Sequence, residues 1–175
     1  ALSETWQLDL VHREVDGSND CDGCFGSLGP TGDCSSDYGM QASRFGLEFL
    51  SEGFSHELSY TRTRTERQDF TASVPTFGSQ GEQVRGEYIG SGTTLDGVDL
   101  IWGFDYQKDV ANGMGRNYQG AFVELLSDFS KAFFLTAGLR YDDNEDFGAN
   151  TSFRLSTAYL LETKAGTLKF KAALG

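Results

Sequence analysis

Five aspartates are concentrated in one short stretch of the sequence, and a carboxylate oxygen is the kind of ligand that Ca²⁺ prefers. The stretch lacks Lys and Arg. Within it, SNDCDG places suitable residues at the first, third, fifth and sixth positions of an EF-hand loop, but the twelfth position is Gly29, where a bidentate Glu is needed. We therefore expect either a calcium site that is not an EF-hand or a solvated acidic loop. The candidate ligands are Asp16, Asp20, Asp22, Asp33 and Asp37.

Three cysteines, Cys21, Cys24 and Cys34, lie in the same Gly-, Asp- and Ser-rich stretch. This clustering predicts an exposed loop closed by a disulfide in an oxidising compartment. Because the number is odd, one thiol is free, paired outside this chain or part of a metal site. A lone Cys-x-x-Cys is a weak signal for zinc. The sequence leaves open which two cysteines pair.

The charge and the motifs of the sequence argue against two classes of function, nucleic-acid binding and catalysis. A net charge of −12 and a pI near 4.4 argue against a nucleic-acid partner, because phosphate binding needs a basic face. Neither histidine, His12 or His56, has a carboxylate or cysteine at a useful spacing, and no glycine motif that could hold a phosphate is present. We expect no enzymatic activity.

The elements that carry these residues are predicted as strands, because apolar residues recur at every second position. In FFLTAGLRY, Phe133, Leu135 and Leu139 share one face while Arg140 lies on the other. The segment at 117–126 alternates poorly, and its facing is undecided. Nine segments follow one another, at Trp6–Leu10, Phe45–Phe49, Phe54–Tyr60, Val84–Tyr88, Val98–Tyr106, 117–126, Phe133–Tyr141, Phe153–Leu161 and Leu168–Leu174.

Long and short connections alternate between these segments. The predicted fold class is all-β, an antiparallel up-and-down meander of about nine strands within one domain, 1–175. In such a meander the long connections all lie at one end. The short ones are 51–53, 90–97, 127–131 and 162–166, and the long ones, which we assign to an outer side, are 16–41, 66–82, 107–117 and 142–151.

Strand length and loop segregation favour part of a transmembrane β-barrel. A membrane-spanning helix is excluded, because no run of about 18 apolar residues occurs. Several strands approach about ten residues, enough to cross a bilayer when tilted, and long loops on one side are typical of outer-membrane barrels. The apolar face would meet lipid, with His12 and His56 near the bilayer edges. An alternative is a soluble carbohydrate-binding β-sandwich, which also alternates but uses strands of about 5 to 6 residues.

The odd strand number predicts a piece of a larger barrel. A single-chain bacterial barrel normally has an even number of strands, so that the last pairs with the first. If the weak segment at 84–88 or at 117–126 is not a strand, the alternative is a self-contained barrel of eight strands. Such a barrel would serve adhesion or membrane integrity.

Several stretches resemble the barrel of TonB-dependent outer-membrane receptors, in which GLRYD, an acidic loop, a strand with an Arg and a short turn follow in order. The matching runs are LTAGLRYDDNEDFG with the residues after it to 175, FSHELSYTRTRTERQDF at 54–70 and VDLIWGFDYQKD at 98–109. The resemblance implies a barrel of about 22 strands in the bacterial cell outer membrane, plugged by an N-terminal domain.

That family imports vitamin B12, ferric siderophores, haem or another scarce nutrient. The implied partners are membrane lipid and lipopolysaccharide, a small nutrient ligand, and a plug domain and TonB through chain segments not found in this sequence. Some vitamin B12 receptors also bind calcium, which the resemblance extends to the aspartate-rich stretch.

Overall fold

The computed structural model of the chain describes residues 5–21, 23–26, 29–51 and 53–175, and these residues are almost entirely strand. Alternating side chains and frequent Thr, Tyr, Phe and Val favour extended backbone throughout. The strands are β1 (Trp6–Cys21), β2 (Cys24–Gly26), β3 (Gly29–Thr31), β4 (Cys34–Ser51), β5 (Phe54–Thr71), β6 (Val74–Leu95), β7 (Val98–Ala111), β8 (Met114–Phe129), β9 (Phe133–Asn144), β10 (Gly148–Thr163) and β11 (Gly166–Leu174).

Nine of the strands form one antiparallel sheet in the order β1-β4-β5-β6-β7-β8-β9-β10-β11. The predicted all-β meander of nine strands is confirmed. The remaining two strands, β2 and β3, pair with each other as a small hairpin between β1 and β4. Within the described ranges, no helix has the length and apolar character needed to cross a membrane.

The predicted long loops are corrected by the structure, because most of their residues continue the strands. The connection after β5 consists of residues 72–73, that after β7 of 112–113 and that after β9 of 145–147. The long loops were predicted because these segments are rich in Gly, Ser, Thr and charged residues, which are common in loops. However, ladder hydrogen bonds join backbone groups, so polar side chains can occupy a paired strand as long as water solvates them. We call the end of the sheet with these connections, and with β2 and β3, the tip end, and the opposite end the base end.

The register gives the sheet one apolar and one polar face. Leu8 lies opposite Leu47, which lies opposite Leu58, and this row continues through Tyr88 to Phe104. We call the face with this row the apolar face and the other the polar face. The undecided facing of β8 is resolved, because Val123 lies opposite both Trp102 and Leu139 and therefore on the apolar face.

The sheet is a single layer with almost no enclosed core. Among the described residues, Cys34 is the one buried apolar side chain, while Leu10, Phe104 and Phe170 of the apolar face are 69%, 55% and 56% exposed. A β-sandwich would bury such residues between two facing sheets. The described residues form one large sheet and one small hairpin, so the sandwich architecture does not describe this chain.

Toward the tip end, the apolar face changes from hydrophobic to polar. In β1 the change comes after Leu10, at His12 and Glu14, and in β5 after Tyr60, at Arg62 and Arg64. We call the polar stretch, residues 12–21, 34–43, 62–71 and 74–84, the tip extension. At about 3.3 Å per residue, its ten residues in β5 project about 33 Å beyond the apolar band.

Candidate functional site

A cluster of polar side chains converges on Arg140 on the polar face, from three neighbouring strands. Arg140 Nη2 donates hydrogen bonds to Asp105 Oδ1 at 2.9 Å and to Tyr118 Oη at 2.6 Å, and its Nε donates to Asp142 Oδ1 at 2.8 Å. Tyr118 Oη also donates to Asp142. The guanidinium carbon stands 5.9 Å from the centroid of the Phe122 ring. We call these five residues the Arg140 cluster.

The cluster fits on the sheet because Gly120 leaves room for it. A Cβ atom at Gly120 would lie 2.9 Å from Asp142 Oδ1 and would clash with Arg140. Asp105 is 5% exposed, so its charge is nearly desolvated and is matched by the guanidinium above it. The Arg140 and Tyr118 side chains remain partly exposed, so they can contact molecules on the polar side of the sheet.

Other ion pairs on the polar face are more exposed. Arg44 Nη1 bonds Asp9 at 2.7 Å, and Arg154 pairs with Glu124. Exposed pairs of this kind contribute about 0 to 1 kcal/mol each. They make the polar face a hydrated surface of mixed charge, able to contact water or a polar protein surface.

The tip extension and the turn between β7 and β8 line an open cleft of about 870 Å³ on the continuation of the apolar face. Its lining includes carboxylates and amides, from Asp16, Asp37, Glu66, Gln68, Gln80 and Asn112. Such groups can bind polar ligands through hydrogen bonds. The cleft is open to solvent, in contrast to the nearly desolvated position of Asp105.

The structure describes four of the five aspartates considered for calcium. Asp16 and Asp37 both line the cleft, Asp20 lies farther along β1 opposite Ser35, and Asp33 is exposed just before β4. Asp22 lies outside the described residues. The part of the chain that the structure describes contains no group of three or more His, Cys, Asp or Glu arranged to hold a metal. Calcium binding stays a prediction.

The cysteines are resolved into one disulfide and one thiol. Cys24 and Cys34 are joined, with 6.1 Å between their Cα atoms, while Cys21 is free and exposed. The disulfide holds the start of β2 beside the start of β4. The predicted stapled loop is therefore present, and it encloses the β2–β3 hairpin.

Aromatic side chains line the base end of the apolar face. Trp6 stacks on Phe49 with ring centroids 4.8 Å apart, and Phe49 stacks on His56 at 4.5 Å. A hydrogen bond of 2.8 Å joins His56 Nδ1 to Tyr88 Oη. His12 lies at the other border of the apolar band, where its Nδ1 bonds Ser43 Oγ at 2.9 Å. The two histidines thus lie at opposite borders of the band, and the Nδ1 atom of each has a hydrogen-bond partner.

Comparison with known proteins reveals a distant likeness to a transporter. The chain is 22% identical over 180 residues to the vitamin B12 transporter BtuB of Photobacterium profundum. The aligned region covers 99% of this chain and 28% of that transporter, so the chain spans less than a third of the length of this relative. No family model matches the sequence.

Sequence reasoning placed Arg140 on a polar face but missed its partners. Asp105 is 35 positions away along the chain, and only the register across β7, β8 and β9 brings it beneath the guanidinium. A signal did exist, since Asp105 stands between Phe104 and Tyr106, two exposed apolar-face aromatics, and so must lie on the opposite face.

Proposed function

We propose that this chain is a barrel segment of a TonB-dependent outer-membrane receptor that imports a scarce nutrient of the vitamin B12, ferric siderophore or haem class. The observation that carries the proposal is the apolar band, which crosses all nine strands of a single-layer sheet. The distant likeness to a vitamin B12 transporter, over nearly the whole chain, supports it. This likeness favours a role in transport over a role in catalysis.

The apolar band is the surface that would face lipid. Exposed apolar patches larger than a few hundred Å² are rare on soluble proteins and mark interaction sites. In β9 the band runs from Phe133 to Tyr141 and in β10 from Phe153 to Leu161. Each stretch is nine residues long, and a tilted strand needs about 9 to 11 residues to cross a membrane. The aromatic cluster of Trp6, Phe49 and His56 would lie at one membrane interface.

The polar face would line the lumen, where a plug domain is the expected neighbour. A hydrated surface of mixed charge, including the Arg140 cluster, suits contact with a folded polar domain and with water. The plug and TonB would be reached through other parts of the full-length protein.

The tip extension would project outside the cell, beyond the lipopolysaccharide-bearing leaflet. Most side chains on both of its faces are polar or charged, so it is unsuited to the hydrocarbon region. On this proposal, nutrient capture begins at the tip end, and the cleft lined by Asp16, Asp37 and Glu66 would be one part of a ligand surface shared with other loops.

The first test is the intact mass of the native gene product, recovered from a detergent-extracted outer-membrane fraction. The proposal expects a product several times heavier than the 19.2 kDa of this chain. A product near that mass in the same fraction would instead support a small closed barrel for adhesion or membrane integrity. A freely soluble product would overturn both membrane assignments.

The nutrient class is tested by growth. Bacteria that need external vitamin B12 and lack their own receptor should grow on limiting vitamin when they express the full-length gene, and only when TonB is present. A matched strain starved of iron tests ferric siderophores and haem. Outer-membrane expression without growth on any of the three nutrients would contradict the import proposal.

A further inference from the structure

Cys34 is placed so that either of the other two cysteines can bond to it. It is joined to Cys24, and it is also the residue directly opposite Cys21 in the ladder between β1 and β4. Directly opposed residues share a face of the sheet, and their Cα atoms lie about 4.5 to 5.5 Å apart. A disulfide spans Cα separations of about 4.4 to 6.8 Å. Cys21 therefore meets the backbone requirement for a bond to Cys34, as Cys24 does at 6.1 Å.

We propose that the three cysteines form an internal thiol–disulfide exchange site, in which the Cys24–Cys34 disulfide converts to a Cys21–Cys34 disulfide. The Cys21 thiolate attacks Cys34 Sγ, a new S–S bond forms, and the bond between Cys34 and Cys24 breaks. Cys24 leaves as a thiolate and takes up a proton equivalent to the one that Cys21 lost. One disulfide and one thiol exist before and after, so the step needs no external oxidant or reductant.

Accessibility fits the proposed roles of nucleophile and target. Cys21, the attacking group, is exposed, whereas Cys34 is 8% exposed and is held at the start of β4. A buried sulfur is shielded from thiols in solution but not from a neighbour on the same ladder. Exchange within the chain is therefore favoured over exchange with a foreign thiol.

An ion pair of β5 lies on the same face of the sheet as Cys21. Arg67 and Asp69 share the face of Cys21, and Arg67 Nε donates to Asp69 Oδ1 at 2.8 Å. This hydrogen bond is the main reason that the pKa of Arg67 is raised. Two side chains of opposite charge, already paired with each other, therefore lie on the face of the sheet that carries the attacking thiol.

Exchange would change what the disulfide holds. In the present state it ties the start of β2 to β4, and β2 lies against β5. A Cys21–Cys34 bond would instead join the last residue pair of the β1–β4 ladder. The start of β2 would then no longer be tied to β4. The hairpin would gain freedom at the tip end without any loss of disulfide. This inference does not rest on the proposed transport function.

The test uses the full-length protein, purified in detergent without reductant. After incubation at pH 8 for increasing times, the sample is quenched with N-ethylmaleimide and digested without reduction, and the labelled and disulfide-linked peptides are mapped by mass spectrometry. We expect the label on Cys21 at first, and then partly on Cys24 as a Cys21–Cys34 peptide appears. The rate should be independent of protein concentration. Below the thiol pKa it should fall about tenfold per pH unit, as the thiolate fraction does.

Either of two results would overturn the proposal. One is a label that stays on Cys21 throughout the incubation. The other is a label on Cys34 with a Cys21–Cys24 disulfide, which would mean that the wrong sulfur is attacked.

Variants provide an independent check. Cys24→Ser, oxidised with glutathione disulfide, should form the Cys21–Cys34 bond, and persistence of both thiols would contradict the proposed reach. The matched control is Cys21→Ser, which removes the attacking thiol and leaves the Cys24–Cys34 disulfide in place. No label should appear on Cys24 in this variant. Label on Cys24 at the rate seen in the unaltered protein would mean that a thiol other than Cys21 opens the disulfide, and would contradict the internal exchange.

Discussion

Asp105 is a nearly desolvated carboxylate whose charge is matched by Arg140. Arg140→Ala leaves that charge without its cationic partner. Breaking a buried pair costs about 3 to 5 kcal/mol, but the Arg140 side chain is 34% exposed and water can partly replace it. We expect the free energy of unfolding to fall by about 2 kcal/mol, measured as a shift of the urea midpoint for the full-length protein in detergent micelles.

The control for this prediction is Arg154→Ala. The Arg154 side chain is 63% exposed, and its loss from Glu124 should cost less than about 1 kcal/mol. The double variant Asp105→Ala/Arg140→Ala should be more stable than Arg140→Ala alone, because no buried charge remains. Equal destabilisation by Arg140→Ala and Arg154→Ala would contradict the account of the Arg140 cluster.

Asp69, in the tip extension, couples this end of the sheet to pH. Ser36 Oγ donates to its Oδ1 at 2.5 Å and Arg67 Nε at 2.8 Å, and these hydrogen bonds lower the pKa of Asp69. A carboxyl with a lowered pKa contributes stability above its ordinary pKa of 3.8, and that stability is lost as the pH falls through the lowered value. Ser36→Ala should therefore raise the pKa of Asp69, as measured by NMR titration of its carboxyl carbon. Glu82→Gln, which removes a different carboxylate of the tip extension, should leave it unchanged.

Single residues show how far sequence alone could predict the site. Alternation correctly placed Arg140 on the face away from the apolar residues, because the face of a strand residue depends only on whether its position is odd or even. It also puts Asp105 on the polar face, but it could not pair Asp105 with Arg140 or choose between cysteine pairings, because both depend on which residues the register brings together. The same limit applies to the five candidate calcium ligands, because residues that are close in sequence need not converge in space.

The hairpin between β5 and β6 contains a turn that its residues do not favour. Ala72 and Ser73 have φ of 50° and 62°, a left-handed conformation that costs non-glycine residues about 1 to 2 kcal/mol each. Asn-Gly is the preferred pair for two-residue turns of this kind. We expect Ala72→Asn/Ser73→Gly to stabilise the hairpin by about 1 kcal/mol, seen as slower hydrogen exchange of amides near the tip.

The chain offers the reverse experiment in the next hairpin of the tip end. Between β7 and β8 the turn is already Asn112-Gly113, with φ of 50° and 83°. Asn112→Ala/Gly113→Ser should speed exchange at that tip by a comparable factor. If both double variants changed exchange in the same direction, the turn argument would be wrong.

The sequence predicts that a strand is present better than it predicts how long the strand is. The apolar period marked nine segments, but in β5 it ends near Tyr60 while the strand continues to Thr71. The continuation is stabilised by backbone pairing and by polar cross-strand contacts such as the bidentate bond from Arg62 to Glu82, at 3.0 and 3.1 Å. Hydrophobic periodicity cannot detect a strand whose two faces are both polar.

The orientation of the whole sheet can be tested with two adjacent residues. Leu58 lies in the middle of the apolar band and Ser59 on the polar face, next to Glu87. Arg at mid-bilayer on a lipid face costs about 2 to 4 kcal/mol, whereas a lumen position tolerates it. We therefore expect Leu58→Arg, but not Ser59→Arg, to reduce insertion of the full-length protein into liposomes, measured as the folded fraction on a cold gel. Equal insertion of the two variants would contradict the lipid-facing assignment.

The order of strands in the sheet also bears on how the chain folds. Nearly every pairing joins strands that are consecutive in sequence, with short turns between them, so most contacts are local and chain closure is easy. The exception is the pairing of β1 with β4, which must close over residues 22–33. Compared with a two-residue turn, this closure costs about 1.5 kcal/mol more. A chain in which Cys24 and Cys34 are already joined has made most of that closure, so oxidation before assembly should speed docking of the first strand.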